Sequence, residues 1–157
     1  MTLFILTIST LLAAAVQARL PTLWWLGGLR LELVPAAAAY MALRLPWRQA
    51  VGMSVLAGLA QDALSGAPFG VSALAYSTVA MGMNLLREII DPDLPVVHVA
   101  AAAAMSAVGS LAAFCVVGVS FGYAVKLLLV AVLAGVAAPP VFIALHGLSR
   151  SMTGART

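Results

Sequence analysis

Residues 96–119 read VVHVAAAAAMSAVGSLAAFCVVGV, a run with no charged side chain. As a helix it would extend about 36 Å at 1.5 Å per residue, enough to cross the roughly 30 Å hydrocarbon core of a bilayer. Residues 124–148, AVKLLLVAVLAGVAAPPVFIALHGL, form a second such run, with its one charge, Lys126, near the start. These two stretches fix the solvent of the fold as lipid. The whole chain agrees: of its 157 residues, 64% are hydrophobic and 8% charged, against roughly a quarter charged in a soluble domain. Lipid offers no partner to a backbone N–H or C=O, so only helices or a closed barrel satisfy the chain. A barrel needs short alternating segments, and long runs of Ala, Leu, Val and Met favour helices.

Working outward from those two runs, the remaining apolar segments predict spans at about 2–18, 31–45, 49–64 and 71–86. With 96–119 and 124–148 they give an all-α integral membrane protein of about six transmembrane helices in one domain, 1–157. The first run could be mistaken for a cleaved leader, because Val16-Gln17-Ala18 resembles a cleavage site. No Lys or Arg precedes the apolar stretch, so it is read as a membrane helix. Trp24, Trp25 and the Gly27-Gly28 pair suit an interfacial link. The second span is short, with Arg30 and Glu32 at its entrance and Pro35 in its first turns, where a missing N–H is tolerated. Arg44-Leu45-Pro46-Trp47-Arg48 is a break, and residues 65–70, SGAPFG, form a tight turn. Arg87, Glu88, Asp91 and Asp93, with two prolines among them, predict a water-exposed loop. Pro139-Pro140 should kink the last helix. No strong internal repeat is present.

Six spans place both termini on one side. With the N-terminus inside, Arg44, Arg48, Arg87, Arg150 and Arg156 are cytoplasmic and Arg19, Arg30 and Lys126 are outside, which favours cytoplasmic termini. The formal net charge of +3 comes from dispersed residues with no basic run, which excludes nucleic acid as a partner. The single cysteine, Cys115, forms no internal disulfide. His98 and His146 have no companion at metal-ligand spacing. No nucleophile–base arrangement or phosphate loop can be assembled, so neither an enzyme nor a bound cofactor is expected. The methionines, Met81, Met83 and Met105 among them, read as gap-fillers.

The candidate positions are therefore structural or partner-binding. Asp62 is the one acid well inside an apolar run. Two readings stay open: a group facing the bundle interior and serving ions or protons, or a carboxylate that bonds N–H groups of the following turn or lies at the interface. Ser54, Gly58 and Asp62 recur every fourth residue and share one helix face. Ala102, Ser106 and Ser110, and Gly118 and Gly122, repeat the pattern. Such seams pack helices within the chain or hold a partner helix. Asn84, Arg87 and Glu88 cluster at the predicted cytoplasmic end of the fourth span, as a solvated helix end or a docking point for a partner.

The block at residues 58–74, GLAQDALSGAPFGVSAL, resembles the signature of the MreD family of rod shape-determining membrane proteins: Gly-Leu, then an Asp, a Gly-Pro-Leu-Gly-like turn, and Ala-Leu opening the next helix. Phe69 stands where Leu is common. Chain length, the short proline-bearing second span and the charged loop after the fourth match as well. The resemblance marks Gly58, Asp62, Gly66, Pro68 and Gly70 as its residues. It implies a fold similar to the substrate-binding subunits of energy-coupling-factor vitamin transporters. It also implies a non-enzymatic place in the bacterial cell-wall elongation (Rod) complex in the inner membrane. The implied partners are an MreC-like protein, the actin-like MreB filament, the RodA glycosyltransferase and a class B penicillin-binding protein. The competing expectation is a small-molecule-binding subunit of such a transporter, which would want a polar or aromatic-lined pocket open to the outside. Trp24, Trp25, Phe69 and Phe121 are the few aromatics near that boundary.

Overall fold

A computed structural model describes residues 2–20, 32–65, 68–87, 89, 91, 92, 94–117 and 122–153, and these described residues form six helices. They are α1 (Thr2–Arg19), α2 (Val34–Arg44), α3 (Trp47–Ser65), α4 (Val71–Leu86), α5 (Pro95–Val117) and α6 (Gly122–Thr153). Among the described residues, Pro95–Ala113 and Leu129–Gly147 are long and apolar enough to cross a bilayer, while Leu6–Arg19 and Val71–Leu86 are shorter apolar helices.

The short helix is the centre of the molecule. α2 packs against each of the other five helices, and its residues from Val34 to Leu43 are buried. Four consecutive alanines, Ala36 to Ala39, give it the highest helix propensity available and the thinnest profile, so five neighbours can close on it. At eleven residues it measures about 16 Å, half the hydrocarbon thickness. Pro35 lies in the first turn, where it forgoes no helical bond. At the other end Leu45 is extended (φ −90°, ψ 154°), as a residue preceding proline must be. Pro46 then restarts the chain as α3, its carbonyl accepting from the N–H groups of Gln49 and Ala50 at 2.9 Å each.

Side-chain sizes are distributed as lipid demands. The interior is dominated by alanine: Ala38, Ala39, Ala57, Ala80 and Ala102 have no exposed surface. Large apolar side chains face outward, with Ile143 74% and Leu85 72% exposed. Water would penalise that arrangement by about 25 cal/mol for each Å² of apolar surface left out. In a bilayer there is no such penalty, and small interior residues let helix backbones approach. Two ring contacts join α2, α5 and α6: Tyr40 meets Phe142 edge-on at 5.1 Å, and Phe142 stacks on His98 at 3.9 Å.

Two glycines record close approaches. A Cβ on Gly58 would lie 2.6 Å from the carbonyl carbon of Ser72 and strike the backbone of Ala73, so α3 and α4 touch main chain to main chain there. A Cβ on Gly109 of α5 would lie 2.7 Å from Cε1 of Tyr76. α6 remains one helix through Pro139 and Pro140. The prolines leave the carbonyls of Gly135 and Val136 without their i+4 donors.

Candidate functional site: polar groups that cap helices in trans

Polar side chains in a lipid-facing bundle look to the protein for partners, and here four of them, Gln17, Asp62, Asn84 and Arg87, cap helix ends that belong to another part of the chain. Asp62 sits in the last turn of α3 and is 1% exposed. Its Oδ2 accepts the N–H of Gly70 at 2.8 Å and its Oδ1 that of Ser72 at 3.1 Å. The carboxylate thus spans the turn and satisfies two N–H groups at the start of α4, where the helix dipole also favours negative charge. Charge-assisted bonds of this kind contribute about 1.5–3 kcal/mol each. Gly70 occupies the left-handed region at φ 99°, and a Cβ there would meet nothing within 4 Å. Its requirement for glycine is therefore conformational rather than steric. Pro68 is exposed and its carbonyl accepts the N–H of Val71 at 3.4 Å. Of the two readings for Asp62, this geometry is that of the turn-binding carboxylate. Gly66 lies outside the described residues.

The opposite end of the bundle is closed in the same manner. Asn84 of α4 donates Nδ2–H to the carbonyl of Ala42 at 2.9 Å, and to its own helix at Ala80 at 3.2 Å. Arg87 donates from Nη1 to the carbonyl of Leu45 at 3.2 Å. Both satisfy carbonyls at the C-terminal end of α2, which have no intrahelical donor. Asn84 and Arg87 are therefore tied into the bundle. Glu88, the third member of that predicted cluster, lies outside the described residues.

A second polar group was not singled out by the sequence. Gln17 of α1 accepts the N–H groups of Leu33 and Val34 at 2.8 and 3.0 Å, capping the N-terminus of α2. Its Nε2 donates to Oε1 of Gln61 at 3.1 Å, and Nε2 of Gln61 donates to Oε1 of Glu32 at 3.3 Å. Ser106 of α5 donates its hydroxyl to Oε2 of Glu32 at 2.6 Å. Four elements thus meet in one network. The available signal was two glutamines in apolar helices, since an amide in a membrane segment demands partners of its own.

Parts of two small-residue seams pack inside the chain. Ser54 and Gly58 are buried with Asp62 on one face of α3, and Ala102 and Ser106 are buried on α5. Gly118 lies outside the described residues. Among the described residues no three His, Cys, Asp or Glu side chains gather as a metal site would need.

Alanine-lined helices with large apolar groups outside, tied by polar side chains that cap one another's ends, define a helical bundle of membrane type. The chain belongs to the MreD family: the family model described as rod shape-determining protein MreD matches residues 1–146. Its place is thereby in rod shape determination. Comparisons with curated proteins and with solved structures gave no match, so the expected likeness to vitamin-transporter subunits draws no support from them.

Proposed function

We propose that this chain is a non-enzymatic scaffold of the bacterial cell-wall elongation complex, crossing the inner membrane six times as one domain with cytoplasmic termini. In this reading it binds an MreC-like protein and so helps to regulate lateral peptidoglycan synthesis. RodA, a class B penicillin-binding protein and MreB stand in the same assembly. The observation that carries the reading is the family match over residues 1–146. The bundle supports it in physical terms. The seam residues Ser54 and Gly58 on α3 and Ala102 and Ser106 on α5 are taken up by internal packing, so a partner's membrane helix meets the outward apolar faces instead, where packing and not water drives association.

The turn between α3 and α4 is the part of this scaffold most exposed to substitution. Asp62→Ala and Gly66→Leu are expected to weaken assembly with the partner. The deciding experiment is a detergent pull-down of the tagged chain from its own membranes with mass spectrometry of the bound proteins. Recovery of an MreC-like protein, reduced in both variants at equal protein level, supports the scaffold. Recovery of an ATPase pair with a second membrane subunit would overturn it.

A further inference from the structure

The network around Glu32 has a direction that the backbone fixes. The N–H groups of Leu33 and Val34 can only donate, so the side-chain oxygen of Gln17 must face them. That turns the Gln17 amide nitrogen to the oxygen of Gln61, and so turns the Gln61 nitrogen to Glu32. Ser106 donates to the other carboxylate oxygen. Every donor therefore points at Glu32, and the chain of hydrogen bonds ends there. Both carboxylate oxygens are met by neutral groups, the Gln61 amide and the Ser106 hydroxyl.

A cavity opens beside this carboxylate. Its volume is about 80 Å³, and Gln17, Ala18, Glu32, Gln61, Leu64 and Ser65 line it. One water needs about 10–15 Å³ on the same measure, so the space holds several waters or one small ion with part of its shell. Four of the lining residues, Gln17, Glu32, Gln61 and Ser65, carry oxygen atoms that can serve as hard donors. Ser65 is only loosely held, donating to the carbonyl of Asp62 at 3.5 Å. Asp62 itself is committed to Gly70 and Ser72, leaving one carboxylate charge for the cavity. Oxygen ligands select hard cations, and a single negative charge balances a single positive one.

We propose that this cavity binds a small monovalent cation, a metal ion or a protonated amine, with Glu32 as its counter-charge. Ser65 and the Gln61 oxygen complete the contact. Such a cation would lock α1, α2, α3 and α5 together at this end of the bundle. This goes beyond the scaffold reading and does not depend on it.

The test is the thermal unfolding midpoint of the purified full-length chain in detergent, at matched ionic strength, in sodium, potassium, methylammonium or choline chloride. Choline is too large for the cavity and serves as the baseline. A ligand that binds only the folded state raises the midpoint in a saturable way. The expected result is such a rise with at least one small cation, lost in Glu32→Gln. Sodium or potassium acting alone identifies a metal ion, and methylammonium acting best identifies an amine. If Glu32→Gln does not fold, Ser65→Ala, at an exposed helix end, serves in its place. Loss of one oxygen contact to a charge should weaken the response about tenfold. A wild-type midpoint that no small cation raises above choline, or a response unchanged in the variant tested, would each overturn the proposal.

Discussion

Asn84 of α4 closes the C-terminal end of α2 by donating to the carbonyl of Ala42 at 2.9 Å, across 42 residues of sequence. α2 is too short to reach water at both ends and too buried to leave its last carbonyls open. The cap is therefore a condition of the fold. Asn84→Leu leaves that carbonyl unsatisfied at a cost of about 1–3 kcal/mol. A thermal melt in detergent should register a fall of roughly 2–10 °C, and a midpoint unchanged within a degree would contradict the cap.

Removal of the carboxylate at Asp62 should be more costly. Asp62→Ala takes away both acceptors for Gly70 and Ser72, at about 2–5 kcal/mol for two charge-assisted bonds with a buried donor left open. Asp62→Asn keeps one acceptor oxygen and should recover part of that. The check is the order of midpoints: wild type above Asn, Asn above Ala. Equal midpoints for the two variants would mean that the charge, and not the acceptor, is what matters.

Gly58 and Gly70 should fail for different reasons. Gly58→Ala drives a methyl into the backbone of Ser72 and Ala73, so α3 and α4 must part, and overpacking of that kind costs about 1–3 kcal/mol or more. Gly70→Ala meets no atom but holds alanine at φ 99°, for about 1–2 kcal/mol. The discriminating variant is Gly70→Asn. Asparagine tolerates the left-handed region, so a midpoint above that of Gly70→Ala is expected, whereas no asparagine rescue exists at Gly58.

Orientation can be tested at the two ends of α3. Trp47 and Phe69 are both exposed, one at the start of α3 and the other just past its end. In a Cys115→Ser background, Phe69→Cys should react with an impermeant maleimide on intact spheroplasts, and Trp47→Cys only after lysis. The reverse pattern would invert the proposed topology.

The helical character was legible because lipid leaves so little choice: residues 96–119 could satisfy their backbone in almost no other way. The break at Pro46 was legible too, since proline dictates the conformation of Leu45. Asp62 could be found from its isolation in an apolar run, and its turn-binding role was one of two open readings. What the sequence did not disclose were the partners of polar residues. Gln17 and Gln61 are ordinary residues on a helix face until α2 ends between them. Asn84 and Arg87 read as a solvated helix end or a docking point because the carbonyls they serve belong to a helix some forty residues earlier. Capping within a helix or across a short turn leaves a local spacing, and capping between helices distant in sequence leaves none.

The distance in sequence between α2 and its caps has a consequence for synthesis. Gln17 is already made when Val34 leaves the ribosome, but Asn84 follows Ala42 by 42 residues. At about 5–20 residues per second that interval is roughly 2–8 s. Throughout it, α2 is sealed at its first turn and open at its last, with α3 present but α4 still to come. The newborn chain must hold an incomplete helix in or against the bilayer for seconds, so the fourth helix closes the molecule as much as it extends it.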